Sequence, residues 1–274
     1  MAKAAFDTQA PLWSLKGVSF SYGHETVLQE IDLQLFPGKS YGILGPNGSG
    51  KTTLLDLLSG ISQPSSGSIH FIDKSLHKWS HRDLARTLAL VPQDFMVRFG
   101  FTVQETVEMG LHPHLHRFGS PSEQDCRLIE QTLEDTGIAH LAQRSITQLS
   151  GGEKQRVAVA RALTQQTKVL LMDEATSNLD IHHSLEILHL VRQRFLAGNI
   201  HLVSVMHDLN LAAFFCDEII FLKQGKVVHM GPTEEVMTAE IVEQVYQVEA
   251  QVQHNPFTEC RQVSFRLPQK NEAV

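Results

Sequence analysis

The run "GPNGSGKTT", Gly45 to Thr53, carries the residue types that hold phosphate. It matches G-x-x-x-x-G-K-[ST] and lies between an apolar strand pattern and the leucine-rich "KTTLLDLLSG", the setting that the pattern requires. Glycines at 45, 48 and 50 let backbone N–H groups turn toward phosphate, and a helix N-terminus adds partial positive charge. Lys51 can neutralise the outer phosphates, and the Thr52 hydroxyl can ligate Mg²⁺. Pro46, Asn47, Ser49 and Thr53 complete the loop.

A second run, "VLLMDE", supplies carboxylates. Four apolar residues read as a buried strand, and Asp173 emerges at its carboxyl end, where open α/β sheets hold ligands. Asp173 is expected to hold Mg²⁺ through water. Glu174 beside it is placed to orient or deprotonate an attacking water. Together these runs imply a nucleoside triphosphatase without deciding its kind.

A third run, "QLSGGEKQR" from Gln148 to Arg156, resembles a second phosphate cradle. Ser150 is a favoured N-cap and Glu153 stands three residues later, so the run also reads as a capping box. The two readings are compatible, because a capped helix end also presents donors to phosphate.

The elements that must position these residues alternate. Residues 12 to 36 suggest antiparallel strands, and Ser40 to Leu58 a strand-loop-helix unit ending near Gly60. A strand in "TLALVPQ" ends at Pro92, and helical patterns dominate from about 101 to 162. The core resumes with "KVLLMDE", a helix near "HHSLEILHLVRQRF", the strand "HLVSVMH" and the hairpin "EIIFLKQGKVVHMG", with Gly225 in its turn. The order implies an α/β fold with a mostly parallel sheet, an N-terminal antiparallel β part and an inserted helical part at about 95–162. "RLPQKNEAV" reads as a frayed tail.

Composition narrows the classes. The 274 residues, 42% of them hydrophobic, suffice for one large domain or two joined lobes. A formal charge of -7 and a pI near 6.1 argue against nonspecific nucleic-acid binding. The start lacks a secretory pattern and no stretch of 18 apolar residues occurs, so a cytosolic chain that meets a membrane through a partner is expected. Cys126, Cys216 and Cys260 are odd in number without close spacing, which suits reduced thiols. "HPHLH" at His112 to His116 reads either as a transition-metal cluster or as a helix-loop whose proline spoils ligand geometry.

The ordered motifs "GPNGSGKT", "VPQ", "LSGGEKQR", "LLMDEATSNLD" and "VMHD" make the chain from about Leu12 to Met237 resemble the ATP-binding cassette ATPases of membrane transporters. The resemblance implies a P-loop cassette over 12–237, a C-terminal extension over 238–274, and head-to-tail pairing of two copies. Each ATP would lie between one copy's phosphate loop and the Ser150, Gly151 and Gly152 of the other. It further implies that Tyr22 stacks on adenine, Gln93 senses Mg²⁺ and the attacking water, Asp180 couples the two sites, and His207 contacts the γ-phosphate. Residue by residue, the alternatives are a buried strand tyrosine, a surface-loop glutamine, a helix N-cap and a structural histidine.

A single cassette without a membrane span resembles a separate importer subunit working with permease subunits and, indirectly, a substrate-binding protein at the cytoplasmic face of the membrane. "FTVQETVEMGLHPHLHRFG" and "GPTEEVMTAEIVEQVYQVEAQV" resemble the importers of ferric siderophores, haem and cobalamin. One departure is Ala175, where importers of the family usually have proline and exporters more often alanine. Another cargo or direction therefore stays open. So does a soluble switch acting in translation or DNA repair, although such relatives usually carry two cassettes or a coiled-coil insertion.

Overall fold

The computed structural model describes residues 9–266, apart from 98, 117, 118, 178 and 199. Most of the N-terminal stretch read for a secretory pattern, and the tail beyond Arg266, lie outside the described residues. In chain order the first elements are β1 (Trp13–Tyr22), β2 (Glu25–Leu35), β3 (Ser40–Leu44), α1 (Lys51–Ser59), β4 (Ser66–Phe71) and β5 (Lys74–Ser75). Next come α2 (His81–Thr87), β6 (Leu88–Val91), α3 (Val103–Glu108), α4 (Glu123–Asp135), α5 (Gly151–Thr164), β7 (Val169–Asp173) and α6 (Ile181–Leu196). The chain continues with β8 (His201–Val205), α7 (Leu209–Phe215), β9 (Glu218–Lys223) and β10 (Lys226–Pro232). It closes with α8 (Thr233–Val236), α9 (Ala239–Tyr246), β11 (Ala250–Asn255) and β12 (Cys260–Phe265). The class is α/β, with a mixed, mostly parallel sheet and an antiparallel sheet.

Two compact units divide the chain, residues 1–77 with 203–274, and residues 78–202. In the first, an antiparallel sheet runs β2-β1-β4-β5. Its inward positions alternate with exposed ones along β2, as a sheet with one wet face requires. Trp13 is fully buried, lies 4.7 Å from the Phe71 ring and donates its indole N–H to Leu58 O at 3.1 Å. That bond satisfies the one polar atom of an otherwise apolar anchor. β3 pairs parallel with β9, which forms a hairpin with β10 around Gly225, φ 76°. Every residue of β3 is buried, and a Cβ on Gly42 would come within 2.9 Å of Cys216 Sγ and Ile219 Cδ1, so a side chain there would force both neighbours to shift.

The C-terminal extension adds α9 and the antiparallel hairpin β11-β12, which the sequence patterns did not announce. Asn210 holds it: its Oδ1 accepts from Val263 N at 2.7 Å and its Nδ2 donates to Val263 O at 3.3 Å.

The second unit builds β6 and β7 as a parallel pair, with His201 N donating to Lys168 O at 2.7 Å at the start of β8. All five residues of β7 are buried, matching the unbroken apolar run expected of a parallel strand. Its core gathers Val91, Val103, Val107, Leu133, Val157, Leu163 and Leu170 around the helices α3, α4 and α5. The helices start on side-chain caps at Thr102, Ser122 and Ser150, each completed by an acidic residue three positions on.

Candidate functional site

In the first unit, β3 delivers the chain into the phosphate loop. Gly45, Gly48 and Gly50 all take positive φ, at 152°, 76° and 99°. At Gly45 the demand is absolute, because a Cβ would stand 2.1 Å from Leu222 O. Ser49 N donates to Pro46 O at 3.2 Å, and Lys51 Nζ folds over the loop to donate to Gly45 O at 2.9 Å and Pro46 O at 3.1 Å. The lysine is 5% exposed, Thr52 is exposed, and Thr53 is turned into the protein. Asn47 and Gly48 face solvent.

The β9-β10 turn braces this loop from behind. Gly225 N donates to Ser49 O at 3.2 Å and Gly225 O accepts from Gln29 N at 2.8 Å. A Cβ on Gly225 would meet Val27 O at 2.3 Å. Tyr22, at the end of β1, is 56% exposed with its ring edge-on to Phe20 at 4.8 Å, so it is not a buried strand tyrosine. Met206 N donates to Ile43 O at 3.2 Å, which lays the end of β8 along β3 and brings exposed His207 out at the same strand edge as the loop.

In the second unit, β7 ends on Asp173 and Glu174 follows it; they are 6% and 8% exposed. Glu174 holds a left-handed φ of 46°, a conformation that costs a non-glycine residue about 1–3 kcal/mol. Gln93, exposed two residues beyond β6, donates its carboxamide to Glu174 Oε2 at 2.6 Å. It is thus more than a surface-loop glutamine.

Ser150 caps α5 as its sequence suggests. Its Oγ accepts from Glu153 N at 3.3 Å, while Glu153 Oε2 accepts from Ser150 N at 2.7 Å and from Ser150 Oγ at 2.8 Å. These bonds from Ser150, backbone first, hold the Glu153 carboxyl below its usual pKa. Ser150 and Gly151 are exposed, and a Cβ on Gly151 would meet nothing within 4 Å. Asp180 caps α6, accepting from His183 N at 2.9 Å and facing His183 Nδ1 at 2.9 Å; the backbone bond is the larger cause of its lowered pKa. The N-cap alternative for Asp180 therefore holds as geometry.

Two residues escaped the sequence patterns. Gln155, 2% exposed on α5, donates its Nε2 to Pro92 O at 3.1 Å, and Arg161 lies 4.7 Å above the Phe95 ring. The "HPHLH" segment is held through its carbonyls: Arg82 Nε and Arg86 Nε donate to Pro113 O at 3.1 and 2.8 Å, and Arg82 Nη2 donates to Leu115 O. His114 Nε2 lies 2.9 Å from Gln165 O. Among the described residues, no group of three or more His, Cys, Asp or Glu gathers as a metal site would, and no helix is long and apolar enough to cross a membrane.

The loop fits a nucleotide. Ser49 is 3% exposed and its Oγ has no hydrogen-bond partner among the described residues, a buried hydroxyl inside a ring of glycines whose backbone can approach phosphate closely. Thr52 in the first unit, and Gln93 and Asp173 in the second, each carry an oxygen donor of the kind Mg²⁺ accepts.

Comparison with known proteins agrees with that chemistry. Residues 28–177 match the ABC transporter family. The chain is 39% identical to the iron(3+)-hydroxamate import ATP-binding protein FhuC of Bacillus subtilis (strain 168), over 89% of this chain and 91% of that one. It is 40% identical to the hemin import ATP-binding protein HmuV of Thermobifida fusca (strain YX), over 88% of this chain and 84% of that one. Its fold superposes on a dimeric post-hydrolysis state of the ATP-binding cassette MJ0796 bound to ADP and Pi, with a TM-score of 0.73 and 29% identity, covering 81% of this chain and 98% of that one. The chain belongs to the ABC transporter family, whose ATP-binding subunits are ATPases.

Proposed function

We propose that the chain is the ATP-hydrolysing subunit of an importer for an iron-siderophore, haem or cobalamin-type cargo, acting through a separate permease. It pairs with a second copy and works peripherally at the cytoplasmic face of the membrane, with a substrate-binding protein upstream of the permease. The relatives' import functions support this reading, and the observation that carries the hydrolytic part is the 2.6 Å bond from Gln93 to Glu174.

In this reading Tyr22 stacks on the adenine, the backbone from Gly45 to Thr53 cradles the phosphates, and Lys51 leaves the loop carbonyls to neutralise the β- and γ-phosphates. Thr52, Asp173 and Gln93 would hold Mg²⁺, which would supply positive charge against that developing on the phosphates. Glu174 takes the proton of the attacking water while Gln93 fixes the carboxylate. His207 donates to the γ-phosphate. Ser150, Gly151 and Gly152 of the second copy close the site with the positive end of α5, and Asp180 links the two sites. ATP binding closes the dimer, and phosphate loss removes the charge that held it.

Ala175, 2% exposed after Glu174, packs inward and takes no part in the chemistry. Direction is decided by transport. Deleting the chain should abolish uptake of ferric hydroxamate, hemin or cobalamin, and the tagged chain should copurify with a polytopic membrane protein. Loss of efflux with uptake intact, or absence of any membrane partner, would overturn the proposal.

A further inference from the structure

α5 begins at Ser150, in the run proposed to meet the second copy's ATP. One and a half turns on, about 7.5 Å along the axis at helical rise, the same helix takes hold of the strand that leads to Gln93. Gln155 is 2% exposed, and its Nε2 donates to Pro92 O at 3.1 Å. Pro92 directly precedes Gln93, whose own carboxamide donates to Glu174 Oε2 at 2.6 Å. Beyond Gln93, Arg161 of α5 lies 4.7 Å over the Phe95 ring, with its guanidinium pKa lowered by burial. The helix therefore grips the glutamine segment on both sides of Gln93.

Proline contributes no N–H, so the carbonyl of Pro92 is the group through which its backbone can be held by a hydrogen bond. A buried carboxamide at this point is costly unless bonded, and an apolar residue of similar volume would fill the space without that cost. The choice of glutamine is explained by the bond it makes.

We infer that Gln155 is a positioning residue for hydrolysis: through Pro92 it sets where Gln93 stands against Glu174, and so ties the helix that serves the second copy's nucleotide to the water-orienting pair of its own site. The inference rests on the proposed function, in which Gln93 and Glu174 handle the attacking water. A rotation of α5 on dimer closure would move Pro92 O with Gln155 and thereby shift Gln93. Each site would then respond to occupancy of the other through the chain's own helix.

The test is a double-mutant cycle in Mg²⁺-ATPase activity of the full chain, with Gln155→Met, Gln93→Ala and both together. Gln155→Met is expected to lower kcat by roughly 10-fold with KM for ATP changed by less than about 3-fold, and to cost less than about 2-fold when Gln93→Ala is already present. A merely structural role would cost the same factor in both backgrounds. That result, or an unchanged kcat, or a loss confined to KM, overturns the inference. If Gln155→Met melts out, Gln155→Leu takes its place, since it also fills the space without a donor for Pro92 O. Full activity of Gln93→Ala would instead sink the site assignment itself, a result distinct from failure of Gln155 alone.

Discussion

Gln93 donates to Glu174 across a sequence separation of 81 residues, from an exposed loop to a carboxylate that is 8% exposed. The left-handed backbone at Glu174 fixes the direction in which the side chain leaves the end of β7. Glu174→Gln preserves an oxygen acceptor for Gln93 while removing the base. Its ATP affinity should stay within about 3-fold of the parent and its turnover fall by at least roughly 100-fold, the scale of a general base. Equilibrium nucleotide binding and single-turnover hydrolysis measure both quantities, and near-normal turnover would remove Glu174 from its role.

Ser150 combines a local and a distant task. Ser150→Ala breaks the box with Glu153 and should cost about 1 kcal/mol in urea unfolding, a usual value for a lost N-cap. Because the folded Glu153 carboxyl is held below its ordinary value of 4.5, the carboxylate's part of the box contributes fully above that value and is lost as pH falls through the lower folded pKa. The stability gap between parent and Ser150→Ala should thus narrow as pH falls below the ordinary 4.5, without vanishing, because the bond from Glu153 N to Ser150 Oγ does not depend on the carboxylate. Ser150→Arg should leave ATP binding by the isolated subunit nearly intact and abolish turnover. A large loss of monomer affinity would place Ser150 in its own chain's site instead.

Local chemistry explains what could be read in advance. The positive φ angles at Gly45, Gly48 and Gly50, the turn at Gly225 and the cap at Ser150 follow from residue types within a few positions of each other. The unbroken apolar runs of β3 and β7 likewise carry their own burial. Gln155 was not legible because its partner, Pro92, is 63 residues away and a glutamine in a helix signals nothing by itself. The hairpin β11-β12 alternates too weakly to stand out, and it is fixed by Asn210 from another element. The sequence left the histidines at 112–116 open between a metal cluster and a helix-loop, and Arg82 and Arg86, contributed by α2, hold that segment through the Pro113 carbonyl.

Gly45 and Gly48 belong to one motif but should fail differently. Gly45→Ala would drive a Cβ to 2.1 Å from a backbone oxygen of β9, which cannot move without breaking the β3-β9 pairing. It is expected to abolish ATP binding or stable folding. Gly48→Ala meets nothing within 4 Å, so only its φ of 76° is penalised, at about 1–2 kcal/mol. Thermal melts of the two variants should therefore separate by several degrees, and equal melting would contradict the contact at Leu222 O.

Two tyrosines set the alkaline limit. Tyr41 is 1% exposed, accepts from Phe36 N at 2.8 Å, and is pushed up to about 12 by burial. Tyr246 of α9 is likewise pushed up to about 12 by burial, with its hydroxyl buried against the Gly45 backbone and lacking a well-formed hydrogen bond. Folding thus favours the protonated phenols, so their contribution is complete below the unfolded value of 10.0 and is lost as pH rises toward 12. Urea midpoints should hold steady to about pH 10 and then fall. Tyr246→Phe should change stability by less than about 1 kcal/mol at pH 8, since the hydroxyl it removes is poorly satisfied, and should flatten the alkaline fall. Tyr41→Phe should also flatten it but lower stability at pH 8, because it strands the Phe36 N–H. An alkaline slope that is the same in the parent and in Tyr246→Phe would show that the phenol of the C-terminal extension does not ionise against the phosphate loop.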